Sequence, residues 1–360
     1  FIKHIAPFAF ASCVKLNKVV FEDQSNIQSI GIYAFSSSSI ASFVIPDKVK
    51  SIQIRTFFYC ENLKTVEFSN ETECESIEDE AFKGSPIENI SLPSSIRIQT
   101  NRCTGIEIAK NIKIIENPIK NLCNYEDKAI LGKSDDKASV FDILLYARMN
   151  TEKFTFPHFI SKVAPYAFSL FSKPQYVIIP DDSKLLSISK CSFSNSLITF
   201  IRIPSNVTAI GESAFACCEM LKTIEFPSNS RLRVIKKNAF YESSLESIEI
   251  PDHVIRIESG AFERCVNLRK VALSSHSELQ YIGKCAFEET SIESFYVPSH
   301  VKQISSDAFN SCCKLQIIEI DENSELLAFN IQKMFDTATT KKILIMKKTS
   351  IQVINENMRL

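Results

Sequence analysis

The stretch Ile203–Ile250, IPSNVTAIGESAFACCEMLKTIEFPSNSRLRVIKKNAFYESSLESIEI, is a pair of repeats. Each copy has a short alternating run (Leu221, Ile224, Phe226; then Leu245, Ile248, Ile250), a turn, an apolar stretch and an Ala-Phe pair (Ala214-Phe215; Ala239-Phe240). Steps of 12, 11, 14 and 10 residues separate strand ends from Ala-Phe pairs, so two unequal copies make a 47-residue unit. Carried along the chain, the rule keeps its phase. The Phe of the Ala-Phe slot falls at 168, 193, 215, 240, 262, 287 and 309, and on the N-terminal side at 10, 35, 58 and 82, where Phe57 stands in for Ala at the third copy. A fixed period of this size predicts a solenoid.

Bulk properties agree with one continuous array. A chain of 360 residues would ordinarily divide into two or three domains, but a repeat array grows linearly and needs no division. Lys+Arg 41 against Asp+Glu 42 gives net charge −1, so no global field draws the chain to nucleic acid or anionic lipid. A hydrophobic content of 45% supports a packed interior, and no apolar run reaches the 18 or so residues of a membrane span. Because Phe10 fills the slot of a copy whose strand would precede residue 1, the native N-terminus is expected to lie outside this sequence, and nothing follows about a signal peptide.

Residues 1–120 read as N-terminal repeats, with strands ending at Phe21, Ile45, Phe68 and Leu92 and a weak copy around Asn111 to Ile115. In 121–150 the apolar runs Lys128 to Leu131 and Val140 to Arg148 flank GKSDDKAS, which predicts a β-hairpin set into the array. Repeats resume over 151–325. The remainder, 326–360, keeps a strand-like KKILIM and otherwise reads as a degenerate copy or cap.

Within a copy, LESIEI alternates, so Ile248 and Ile250 face the core while Ser247 and Glu249 face out. No copy can bury its apolar face alone, so neighbours stacked about 4.8 Å apart must supply the partner surface. Pro follows the strand at 46, 93, 180, 204, 227, 251 and 298, where a missing N–H and a fixed φ make a corner.

The spelling IPxxVxxIxxxAFxxCxxLxxIxI, read from Ile203 to Phe226 and again from Ile250 to Leu273, resembles the leucine-rich repeats of the BspA-like surface antigens over about 300 residues. The resemblance implies an α/β repeat solenoid with a parallel strand ladder, and short and long copies alternate here where the family more commonly repeats uniformly. Many members resemble cell-surface adhesins that bind host proteins, which implies a secreted or surface location, with a cytoplasmic one as the alternative.

Twelve cysteines invite a disulfide or metal reading. Cys218, Cys265 and Cys312 lie 47 apart, as do Cys13 and Cys60, and Cys191 and Cys285 differ by 94. Equivalent slots two copies apart sit about 9.6 Å from one another, beyond the reach of a disulfide. Cys217-Cys218 and Cys312-Cys313 are adjacent pairs without the spacing of a zinc site. Reduced, buried thiols are the expectation. His253 and His300 share a turn slot, with His158 nearby in its own copy and His4 and His276 elsewhere. With seven Gly, no phosphate-cradling loop, nucleophile elbow or HExxH is present. Sequons at Asn70, Asn89 and Asn206 are no more than composition yields by chance, and Asn89 falls in a strand.

What remains is the outward strand face, whose columns read Phe200/Arg202, Thr223/Glu225, Ser247/Glu249, Lys270/Ala272, Ser294/Tyr296 and Ile317/Glu319. Phe200, Arg202, Glu225, Glu249, Lys270, Tyr296 and Glu319 are the candidate ligand-binding residues, with Glu225 and Glu249 placed side by side. The expected function is non-enzymatic binding of a protein ligand, with no cofactor, no metal and no catalytic set. A scaffold or coat assembling through repeat ends, and an intracellular interaction scaffold, are the alternatives.

Overall fold

A computed structural model describes residues 2–22, 25–98, 109, 111–115, 121–126, 128–134, 140–147, 153–168, 175–321, 323–324 and 326, and the backbone of strands 342–346 and 351–354. Arg148, Cys103 and most of the predicted C-terminal cap, 327–341 and 355–360, lie outside them. The chain forms two compact units: 1–148 with 164–167, and 149–163 with 168–360.

In the first unit, strands Ser42–Ile45, Thr65–Phe68, Asn89–Pro93 and Asn111–Ile115 form one parallel ladder. A second is built from two-residue strands at His4–Ile5, Ser29–Ile30, Ser51–Ile52, Ser76–Ile77 and Arg97–Ile98. Around Phe21 there is only a bridge from Lys18 to Ser42. The unit closes on antiparallel strands Leu122–Tyr125, Ala129–Gly132 and Ile143–Ala147, so the expected hairpin of two strands has a third, Leu122–Tyr125, paired to it. In the second unit the long ladder runs Lys153–Thr155, Gln175–Ile178, Ile198–Arg202 and Thr223–Glu225. It continues as the pair Ser247–Glu249 and Lys270–Ala272, then as Ser294–Val297, Ile317–Asp321 and Lys342–Met346, with Ile351–Ile354 antiparallel at the end. Six short strands from Ser187–Ile188 to Gln303–Ile304 make the other ladder.

Each coil is therefore strand, corner, short strand and an arc of turns. The corners begin at proline: the carbonyls of Pro46, Pro204, Pro251 and Pro298 accept the N–H three residues on at 3.0–3.2 Å. Proline suits this position because the turn uses only its carbonyl, and its absent N–H ends the pairing of the strand before it.

The arc holding the Ala-Phe pair is not a helix, and no helix occurs among the described residues, which corrects the α/β expectation. Its N–H groups alternate in destination. In the arc around Phe240, the amides of Ala239, Tyr241 and Ser243 bond three residues back at 3.0–3.1 Å. Those of Asn238, Phe240 and Glu242 bond instead to Ser259, Ala261 and Glu263 of the next copy at 2.8–3.0 Å. An α-helix would spend every N–H internally. Sending alternate groups to the neighbour requires left-handed residues four apart, such as Asn238 (φ 55°) and Glu242 (φ 53°), Arg55 and Tyr59, Ser213 and Cys217. Each costs a non-glycine residue about 1–2 kcal/mol. The intercopy bonds offset that cost, because the buried arc would otherwise hold unsatisfied amides.

The core is a column of stacked phenylalanines. In the second unit Phe168, Phe193, Phe215, Phe240, Phe262, Phe287 and Phe309 follow one another with ring centroids 4.4–5.4 Å apart and nearly parallel planes. In the first unit the column is Phe10, Phe35, Phe57 and Phe82. Phe57, not Phe58, is thus the third ring, and Thr56 rather than Phe57 takes the Ala slot. Phe57 is fully buried and Phe58 half-buried. Thr56 is accommodated because its hydroxyl donates to the Gln53 carbonyl at 2.8 Å.

Candidate functional site

The side chains available to a partner are set by the alternation of the long strands. Ser247 and Glu249 are exposed while Ile248 and Ile250 are buried. Parallel pairing aligns the outward residues into columns: Tyr176 opposite Phe200, Phe200 opposite Thr223, Arg202 opposite Glu225, Ser247 opposite Lys270, Glu249 opposite Ala272 and Tyr296 opposite Glu319.

The proposed site residues differ in environment. Arg202 pairs with Asp181 of the preceding corner at 3.6 Å rather than with the acidic residues after it. Glu225, Glu249 and Lys270 are exposed and make no ion pair among the described residues. The backbone ladder is interrupted between Thr223–Glu225 and Ser247–Glu249, so Glu225 and Glu249 are not registered partners as their columns suggested. Phe200 and Glu319 are half-buried. Tyr296 is half-buried and its hydroxyl donates to Asp321 Oδ2 at 2.9 Å. Burial, and then the adjacent carboxylate, push that phenol up to about 12. Asp321 is held below its ordinary value, chiefly by the Asn323 amide. Tyr296 is therefore a fixed, neutral ring.

Sequence reading passed over two residues of the same face. Tyr176 is 59% exposed and Ile178 41%, one copy before Phe200 and Arg202. The signal was present in QYVI of 175–178, which alternates like every other long strand. Beside this face the side chains of Lys222, Glu246 and Arg269 line a cleft of about 430 Å³, where Lys222 Nζ lies 3.1 Å from Glu246.

Of the described cysteines, Cys60, Cys74, Cys191, Cys218, Cys265 and Cys312 are buried, whereas Cys13, Cys123, Cys217 and Cys285 are half-buried and Cys313 is exposed, which corrects the expectation of buried thiols throughout. Sγ of Cys60, Cys218, Cys265 and Cys312 donates to the carbonyl of Phe35, Phe193, Phe240 and Phe287 respectively, at 2.9–3.1 Å. The same sulfurs lie 3.3–3.6 Å from Ser38, Ser196, Ser243 and Thr290 Oγ. Burial pushes Cys218 and Cys265 up to about 12. The shared histidine slot resolves into different partners: His253 Nδ1 is 2.8 Å from Glu278 Oε1, whereas His300 Nδ1 is 3.2 Å from the Ser277 carbonyl. Asn89 does lie in a strand, accepting from Asn111 Nδ2 at 2.9 Å. Among the described residues no group of three or more His, Cys, Asp or Glu could hold a metal ion, and no helix could cross a membrane.

None of the curated proteins matches the chain. Among solved structures it is similar in fold to the pneumococcal vaccine antigen PcpA, at 19% identity and a TM-score of 0.66 over 96% of this chain and 77% of that one. A leucine-rich repeat protein of Eubacterium ventriosum aligns at 21% identity and 0.59 over 80% and 81%. One of Bacteroides ovatus aligns at 20% and 0.54 over 96% and 88%. The BspA type leucine rich repeat model matches residues 2–105, 143–245 and 233–358 in six copies. With the model matched over most of the sequence, this chain belongs to the BspA type leucine rich repeat family.

Proposed function

We propose that the protein is a non-enzymatic binder of a protein ligand, acting as an adhesin-like antigen at a cell surface, and that the outward strand face of the second unit is its binding site. One observation carries the reading: Tyr176 and Phe200 stand opposite each other with Ile178 beside them, and the uncompensated Glu225 and Glu249 follow on the same face. Aromatic anchors beside charges fit an interface in which burial supplies affinity and charge supplies selection. A basic partner is favoured, because Arg202 is already engaged by Asp181. Likeness in fold to a pneumococcal vaccine antigen, PcpA, supports this location. The division into repeats 1–120, an interruption at 121–150, repeats 151–325 and a cap at 326–360 is retained as part of this reading. So is the 47-residue pairing of short and long copies, supported by stacked rings that follow one another at alternating separations of 25 and 22 residues from Phe168 to Phe309.

The test is capture of candidate host surface or matrix proteins on immobilised protein, compared with a Phe200→Ala, Glu249→Lys, Tyr296→Ala variant that retains its fold. Capture should fall at least tenfold and weaken as salt screens the two glutamates. Undiminished capture by the variant overturns the strand face as the site.

A further inference from the structure

The near-neutral balance of the whole chain conceals a charged strip on the short-strand ladder of the second unit. Segments 231–237 and 253–258 lie side by side, with Val234 paired to Arg256 and Ile235 to Ile257. They carry Arg231, Arg233, Lys236, Lys237 and Arg256 against a single acid, Glu258. The outward acids of the long strands that lead into them, Glu225 and Glu249, stand outside this ladder. In the first unit the slots of Arg231, Arg256 and Lys236 hold Asn26, Ser29 and Gly31 in one copy and Glu73, Ser76 and Glu78 in another. Folding therefore does not require cations there.

Some of these cations are engaged and others are open. Arg233 Nη1 lies 2.6 Å from Glu278 Oε2, a carboxylate it shares with His253, and Glu258 accepts from the Lys237 amide at 3.1 Å. Arg231, Lys236 and Arg256 are exposed and make no ion pair among the described residues. Arg256 is also held in place, its guanidinium carbon 4.2 Å from the centroid of the Tyr281 ring one coil on. A guanidinium stacked on a ring keeps its N–H donors in its own plane, open to an acceptor, and loses less side-chain freedom on binding. Between the cations Val234 and Ile255 are half-buried, and Tyr281 lies under Arg256. The strip thus offers donors and positive charge to an anion, and no free ring on which a nucleobase could stack or a partner's apolar anchor could seat.

We propose that this strip, centred on Arg231, Lys236 and Arg256, binds a sulfated polysaccharide. Sulfate oxygens accept from guanidinium and ammonium groups, and a polymer that repeats them along its length matches several fixed cations spread over neighbouring coils. The inference uses no residue of the long-strand face, so its failure and that of the proposed protein-ligand site are read separately.

The test is calorimetric titration of the whole chain with heparin as the probe, at about 0.15 M salt and above, where binding should weaken as salt rises. An Arg231→Glu, Lys236→Glu, Arg256→Gln variant should bind about tenfold more weakly or worse. Glu278, Glu258 and Gln303 occupy those slots in other copies, so the variant should fold, and its circular dichroism should match wild type. Should it misfold, Arg256→Gln alone should weaken heparin by about threefold. A Lys15→Glu, Lys50→Glu control in the first unit, with a similar change of net charge, should bind within about twofold of wild type. Overturning results are a wild-type chain that does not bind heparin, a folded variant that binds it undiminished, or a control that loses as much as the variant. Equally overturning is binding of unsulfated hyaluronan, single-stranded DNA, polyglutamate or phosphatidylserine vesicles as tight as that of heparin.

Discussion

The thiol of Cys265 donates to the carbonyl of Phe240, 25 residues earlier, at 2.9 Å, and touches the Ser243 hydroxyl at 3.3 Å. The slot three residues after the stacked ring reads Cys60, Ser85, then Ser196, Cys218, Ser243, Cys265, Thr290 and Cys312. Ser85 makes the equivalent bond to the Phe57 carbonyl at 2.6 Å. At Ser85 oxygen thus does what sulfur does at Cys265, whereas Thr290 donates to the Phe287 carbonyl of its own arc.

From this the behaviour of the thiols follows. Cys265→Ala should cost about 0.5–1.5 kcal/mol for the lost bond, since the Phe240 carbonyl keeps only the Ser243 amide as donor, whereas Cys265→Ser should cost clearly less. With burial lifting the Cys218 and Cys265 thiols to about 12, an alkylating reagent at pH 8 should modify them only on unfolding. Thiol counting in denaturant without reductant should find most of the twelve cysteines. Recovery of four or fewer, or equal losses for Ala and Ser, would contradict this account.

The phenylalanine column predicts a local rather than a global failure. Phe240 is fully buried between Phe215 at 5.3 Å and Phe262 at 5.1 Å. Phe240→Ala should cost about 3–5 kcal/mol. Ring stacking and the backbone bonds of each arc reach the immediate neighbours, so amide exchange should accelerate first over residues 203–273. Unchanged exchange there would remove Phe240 from the core.

Acid should weaken the first unit through Glu80. Its carboxyl is held below the ordinary 4.5 by a hydrogen bond from Lys83 first and by Arg55 second. A depressed folded value contributes stability above the unfolded value that is lost as pH falls through the folded one. Denaturant midpoints of the first unit, measured from pH 7 down to 3, should therefore drop more steeply below pH 4.5 for wild type than for Glu80→Gln. Parallel curves would show that the Arg55 and Lys83 contacts do not bear on stability.

Much of this protein was legible in its residues. The spacing of Phe168 through Phe309 spells the seven stacked rings, because a column with one ring per coil recurs at the period of the coil. The alternation of LESIEI gave the inward and outward faces, and the prolines gave the corners, since both depend on local geometry.

What depends on the neighbouring copy was not legible. TFFYC offers two phenylalanines, and only stacking against Phe35 and Phe82 makes Phe57 the core ring and frees Phe58 to lie against Arg55. An apolar run ending in Ala-Phe is equally compatible with a helix. The tertiary structure decided otherwise, because alternate amides find acceptors one copy away and left-handed residues must turn the chain toward them. The charges followed the same rule: Arg202 took Asp181 and left Glu225 and Glu249 open, since side-chain partners are fixed by distance across copies, which the one-dimensional sequence does not carry.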